Sequence, residues 1–306
     1  MTSLQIIIFE KNPIKLPCMN ILICPDKFKE CMPAGRVANY IRNGVLKAMP
    51  DAVCKLIPLA DGGEGTVEAL VEATGGRVEN ARVNDPLMRP VNSFFGICGD
   101  GKTAVIEMAA ASGLALLKPG ERNPLVTTTY GTGELIRYAL DKGCREIILG
   151  IGGSATVDGG VGMAQALGVR FTDQAGQETG PGGGSLGRIE HIDRSAADPW
   201  LKNCKVYAAC DVSNPLTGRT GAARVYGPQK GATPAMVKQL DKNLKHLAGL
   251  IYDKWDLDVD DLSGSGAAGG VGAGIVAFLN GELKPGFELI SRTVNLEKWI
   301  RWANVV

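Results

Sequence analysis

The chain has 306 residues, 45% hydrophobic and 21% charged, with a formal net charge of +1 at pH 7. That length gives a prior of about two domains, and that composition excludes wholesale disorder. A near-neutral balance gives no electrostatic ground for a nucleic-acid or membrane-surface partner, and no apolar run reaches membrane-spanning length. The 8 cysteines form no Cys-x-x-Cys pair and read as reduced, buried thiols of a cytoplasmic protein. With only His191 and His246 available, a histidine-rich metal site or a Ser-His-Asp triad is disfavoured.

Residues 1–18 read as an N-terminal extension ahead of Met19, because a strand, Asn20-Ile-Leu-Ile-Cys24, begins directly after that methionine. The strand runs into Pro25-Asp-Lys-Phe-Lys29, where Lys27 and Lys29 are candidate anion holders; a loop lysine is more usually solvated. Pro33 opens a helix with Val37, Tyr40, Ile41 and Val45 on one face. A second strand, residues 53–59, leads into Asp61-Gly-Gly-Glu-Gly-Thr66. Asp61 and Glu64 suit a substrate hydroxyl or a metal, and equally suit a helix N-terminus. A helix over 67–74 stops at Gly75-Gly76. This βαβα alternation predicts a parallel α/β sheet with ligands at the carboxyl ends of its strands.

Strand-like pieces at 82–83, 91–98 and 103–108 mark the crossing into a second domain, and a helix follows over 134–141. Then comes the most glycine-dense turn, Gly150-Ile-Gly-Gly-Ser-Ala-Thr-Val-Asp-Gly-Gly160, between a strand at 146–149 and a helix at 161–167. Glycines let a backbone approach a phosphate, and the first N–H groups of a helix lack internal partners. Gly152, Gly153, Ser154, Thr156 and Asp158 are therefore candidates to hold a phosphate and its metal ion. A competing pattern is Gly150-x-Gly152-x-x-Ala155 with Asp173 18 residues further on, a loose dinucleotide fingerprint. Against it, Asp158-Gly-Gly160 falls where that helix should be under way.

A strand at 205–210 delivers Asp211, a candidate base or Mg²⁺ ligand, with Asn214 close behind. Lys230, inside Gly227-Pro-Gln-Lys-Gly231, can neutralise charge on a transferred phosphoryl group. Residues 233–255 form an amphipathic helix, and a last glycine cluster spans 263–274. No Walker A pattern and no His-Arg-Asp motif is present.

Seven segments, Pro25-Asp-Lys-Phe-Lys29, Asp61-Gly-Gly-Glu-Gly-Thr66, Gly152-Gly-Ser-Ala-Thr156, Asp158-Gly-Gly160, Cys210-Asp-Val-Ser-Asn-Pro-Leu216, Gly227-Pro-Gln-Lys-Gly231 and Gly266-Ala-Ala-Gly-Gly270, stand in the order and spacing that resemble the bacterial glycerate kinase family, glycerate 2-kinase type. The resemblance runs from Met19 to Trp302. It implies two α/β domains with parallel or mixed sheets, one inserted in the other, and a cleft between them. The expected division is 1–18 extension, 19–80 first domain, 81–287 inserted domain and 288–306 return to the first. It further implies ATP- and Mg²⁺-dependent phosphorylation of D-glycerate, with 2-phosphoglycerate favoured.

Under that resemblance Lys27 or Lys29 would hold the substrate carboxylate, and Asp61 and Glu64 its hydroxyls. Gly152, Gly153, Ser154 and Thr156 would hold ATP phosphates, and Asp158 and Asp211 would contact Mg²⁺. Asp211, Lys230 and Asp61 would carry the chemistry. Two departures stand out: Glu30-Cys-Met32 follows Phe28-Lys29 where the family has glycine and serine, and the family continues past Val306. The expectation is a chain truncated at its C-terminus. A Rossmann-type NAD-dependent oxidoreductase and an inactive truncated fragment are the competing readings. Homo-oligomerisation is left open.

Overall fold

The computed structural model describes residues 19–28 and 31–306. The expected extension 1–18 and Lys29 lie outside the described residues. The first elements are β1 (Asn20–Ile23), α1 (Ala34–Ala48), β2 (Val53–Leu56), α2 (Thr66–Thr74), β3 (Arg77–Asn84), β4 (Pro90–Ile97), β5 (Thr103–Glu107) and α3 (Ala109–Ser112). The middle of the chain forms α4 (Tyr130–Asp141), β6 (Glu146–Gly150), α5 (Val161–Ala166), β7 (Arg170–Thr172), β8 (His191–Asp193) and β9 (Lys205–Ala209). The remainder forms α6 (Ala222–Tyr226), α7 (Pro234–Trp255), α8 (Ala267–Leu279), β10 (Glu282–Lys284), α9 (Gly286–Thr293) and α10 (Leu296–Trp302).

Six strands make the main sheet in the order β10-β9-β6-β5-β4-β3. The four from β10 to β5 are parallel, and β4 and β3 continue antiparallel, so the sheet is mixed. The parallel strands are apolar on both faces, as a sheet covered by helices on two sides requires. Ile147, Leu149, Val206, Ala208, Ala104 and Ile106 enter the larger core, with Leu240, Leu244, Leu247 and Ile251 of α7. The intervening Ile148, Tyr207, Ala209 and Val105 enter the opposite core, with Val67 and Leu70 of α2 and Leu289 and Ile290 of α9. The period-2 alternation of a strand thus sorts its side chains between two separate cores.

β1 and β2 form a small parallel sheet. Among the described residues its own core buries Ile21, Ile23 and Ala38, whereas Leu22 joins the core against the main sheet. The apolar tail Val305 lies beside β1: the Leu22 N–H donates to the Val305 carbonyl at 2.9 Å. The expected domain boundaries meet two elements that cross them. Position 80/81 falls inside β3, and 287/288 falls inside α9.

Local chemistry explains the start of α7 and the end of α2. Thr233 caps α7, its hydroxyl accepting the Met236 N–H at 3.4 Å, with Pro234 in the first turn. Gly75 at φ +70° ends α2 as expected. His191 opens β8.

Candidate functional site

The carboxyl ends of β5, β6, β9 and β10 lie side by side, at Glu107, Gly150, Ala209 and Lys284. The Asp61-Gly-Gly63 loop crosses over two of them. A Cβ on Gly150 would sit 2.2 Å from the Gly62 carbonyl oxygen, and one on Gly62 would sit 2.4 Å from the Ala209 Cβ. Backbone therefore touches backbone where the first glycine motif meets the second. Beside this contact opens a cavity of about 450 Å³, lined among others by Asp61, Gly63, Gly152, Gly153, Ser154, Asp211 and Lys230. Motifs separated by some 170 positions in sequence converge on one concave site.

Lys230 is its central feature. The residue is 1% exposed. Its ammonium donates to Ser154 Oγ and to the Thr156 carbonyl, both at 2.7 Å. Burial pulls its pKa down to about 7, against the opposing field of Asp158. Thr156 itself does not line the cavity; its carbonyl holds the lysine, and its buried hydroxyl finds no partner among the described residues. Gly269, at φ +78°, packs behind it, where a Cβ would stand 2.0 Å from the same carbonyl oxygen. The last glycine cluster thus lets backbone close against the back of the loop.

Asp158 has a different setting from the one expected of a metal ligand. It is 0% exposed and does not line the cavity. Its Oδ2 accepts the Thr129 N–H and hydroxyl, both at 2.8 Å, and the Gly162 N–H at 3.3 Å, while Oδ1 accepts the Gly160 N–H at 3.3 Å. Burial pushes its pKa upward against these donors. The start of α5 is therefore capped internally, and the outward-facing part of the glycine turn is Gly152-Gly153, well before the helix. Asp158→Ala would strand these donors in the core. The expected result in chemical denaturation is a loss of about 3 kcal/mol or more.

Asp211 is exposed at the end of β9, its Oδ1 accepting the Gly286 N–H at 2.9 Å. Gly286 opens α9, and a Cβ there would lie 2.5 Å from the Asp61 carbonyl oxygen and 3.0 Å from Asp211 Oδ2. This glycine draws the two acidic loops together. Sequence reasoning passed over it, although Pro285-Gly286 after a strand is a readable turn signal. Lys27 Nζ lies 3.7 Å from Asp61 Oδ1 and also donates to the Glu64 carbonyl. The Glu64 side chain is exposed and does not line the cavity. Tyr226 and Gln229 line it and were not anticipated.

The dinucleotide alternative fails on geometry. Asp173 follows β7, which belongs to a separate two-stranded sheet with β8, not to a strand beside β6. Its carboxylate instead closes a turn, accepting the Ala175 and Gln177 N–H groups at 3.0 Å.

A cavity at the carboxyl ends of parallel strands, with one buried amine and two exposed carboxylates on its lining, defines an α/β protein built to hold a small anionic ligand. A sequence model of the glycerate kinase family matches residues 21–306, and the chain belongs to that family. Glycerate 2-kinase of Escherichia coli (strain K12) is 53% identical over 288 residues, which are 94% of this chain and 76% of that protein. Glycerate kinase of Bacillus subtilis (strain 168) is 50% identical over 288 residues, 94% of this chain and 75% of that one. A crystal structure of a candidate glycerate kinase 2 from Salmonella typhimurium LT2 superposes with a TM-score of 0.93 at 51% identity, covering 94% of this chain and 77% of that one.

Proposed function

We propose that this chain transfers the terminal phosphoryl group of ATP to D-glycerate, giving 2-phosphoglycerate. The observation that carries the reading is the single cavity in which Lys230, Ser154, the Gly152-Gly153 backbone, Asp211 and the Asp61 loop meet, in a member of this family. Gly152, Gly153 and Ser154 hold ATP phosphates, with Thr156 acting through its carbonyl as the anchor of Lys230. Lys230 stabilises charge on the transferred group. Asp211 accepts the proton of the attacking hydroxyl. Lys27 binds the substrate carboxylate, and Asp61 orients a hydroxyl. Glu64 contributes its backbone, which fixes Lys27.

No cluster of three metal-ligating side chains occurs among the described residues. Mg²⁺ in phosphotransferases is commonly held by one or two carboxylates together with substrate phosphates. Asp211 and Asp61, lining the same cavity, fit that donor set and would hold the ion, which would supply neutralisation of phosphate charge. Asp158 does not fit it, for the reasons of burial given above. The two-domain division remains part of the proposal, with its boundaries moved to the start of β3 and the end of β10 so that the six-stranded sheet stays whole and α9 is not cut. The seven described cysteines are all free and no described helix is long and apolar enough to cross a membrane; free thiols support a cytoplasmic setting.

The test is glycerate-dependent ADP release in a coupled assay. Asp211→Asn is expected to lower kcat by about 10²–10⁴-fold, the range for a general base, with its thermal midpoint unchanged. Turnover near that of the unmodified chain would remove Asp211 from the chemistry. Absence of glycerate-dependent ADP release from the unmodified chain would remove the reading altogether.

A further inference from the structure

The loop that carries Asp61 enters α2 through a cap with no side chain. Its N-cap is Gly65, at φ +87°, which offers no acceptor to the first turn. The missing acceptor comes from 40 positions away. Glu107, the last residue of β5, is 5% exposed, and its Oε1 accepts the Val67 N–H at 2.9 Å. The Thr66 and Gly65 N–H groups also act on this carboxyl. In the parallel ladder Glu107 is paired with Gly150, the residue whose missing Cβ leaves room for the Gly62 carbonyl. Two partnered strand-end residues thus grip the same loop, one by a carboxylate and one by having no side chain.

We propose that Glu107 is a positioning residue, which fixes the Asp61–Glu64 segment for the substrate side of the reaction by capping α2 from the end of β5. It does not line the cavity, so it acts through the loop and not on the ligand. Its kinetic consequence rests on the glycerate kinase reading; its structural consequence does not. Burial, chiefly, raises the Glu107 pKa to about 7, with the charge of Glu68 on the first turn of α2 adding to the shift and the backbone N–H groups opposing it. A neutral carboxyl still accepts through its carbonyl oxygen, so glutamine is a close functional mimic and alanine is not.

The experiment combines amide hydrogen exchange with steady-state kinetics on Glu107→Ala, Glu107→Gln and, in case alanine does not fold, Glu107→Asp, which withdraws the acceptor by one methylene. Alanine or aspartate should speed exchange over 62–67 about tenfold relative to 70–74 in the same helix, because only the cap is lost. They should raise KM for D-glycerate about tenfold or more while changing KM for ATP by about twofold or less. Glutamine should restore both readouts to near the unmodified values. Unchanged local exchange in the alanine or aspartate protein overturns the proposal whatever the substrate proves to be. Equal losses in KM for both substrates, or failure of glutamine to rescue, overturn it as well, by reducing Glu107 to a structural acid. If the unmodified chain does not use D-glycerate, the functional reading falls alone and the exchange comparison still decides the role of Glu107.

Discussion

Lys230→Met should lower kcat by about 10²–10³-fold, the range for removing one preorganised donor from developing charge. Methionine keeps most of the buried volume, so the loss is of charge and of two hydrogen bonds rather than of packing. Ser154 Oγ and the Thr156 carbonyl lose the donor that aligns them. The pH dependence gives this residue a second signature. Its pKa is lowered to about 7 from 10.5, so the free enzyme loses the ammonium as pH rises through about 7. kcat/KM for ATP, which reports the free enzyme, should fall over that range, whereas kcat should fall later because bound phosphates favour the charged amine. Stability runs the other way. Between about 7 and 10.5 the unfolded chain binds the proton that the folded chain lacks, so the cost of burying this lysine is full below about 7 and is relieved as pH rises. A Lys230→Met protein that kept its kcat within threefold, or kept the alkaline fall in kcat/KM, would show that the buried amine does not act on the phosphoryl group.

Gly150→Ala should be nearly as damaging to turnover, for a mechanical reason. The added Cβ would stand 2.2 Å from the Gly62 oxygen and 3.1 Å from its carbonyl carbon, and both are backbone atoms that cannot rotate aside. The Asp61 loop must move by about an ångström, and a displacement of that size costs about 100-fold in rate when it carries a positioning group. Overpacking of this kind also costs about 1–3 kcal/mol of stability. Gly249→Ala is the matched control. It lies on α7 with nothing within 4 Å of its new Cβ, and should gain up to about 1 kcal/mol without altering kinetics. Glycerate saturation curves and thermal midpoints on both proteins separate the contact from a general effect of replacing glycine; equal behaviour would sink the argument.

The parallel strands and long helices were legible because their side chains obey a single period. β6 is apolar at nearly every position, and α7 places Leu240, Leu244, Leu247 and Ile251 on one stripe. β3 was legible only at its end, because this edge strand exposes half of its side chains and buries only Ala81 and Val83. The motif residues were legible as polar groups near glycines, yet the direction each one faces was not. Asp158 and Asp211 look alike in sequence, but one carboxylate points into a crowd of N–H groups and the other stands at an open strand end. The roles of Glu107 and Gly286 were hidden for a different reason. Glu107 meets the Val67 N–H 40 positions away and Gly286 meets Asp211 75 positions away, and although Pro285-Gly286 reads as a turn, no local pattern marks either contact.

The strand-end arrangement also divides the pocket mechanically. Gly150, Ala209 and Glu107 end neighbouring strands whose spacing is set by continuous ladders of backbone hydrogen bonds, with apolar cores on both faces. That wall is stiff, since moving one strand end means breaking its neighbours' pairing. The other side of the pocket, the Asp61 loop with its three glycines, is seated on that wall, its Gly62 packed against Gly150 and Ala209 and its helix start capped by Glu107. The sheet therefore sets the height of the loop as an anvil sets the height of the work, and a change at a strand end is felt at Asp61.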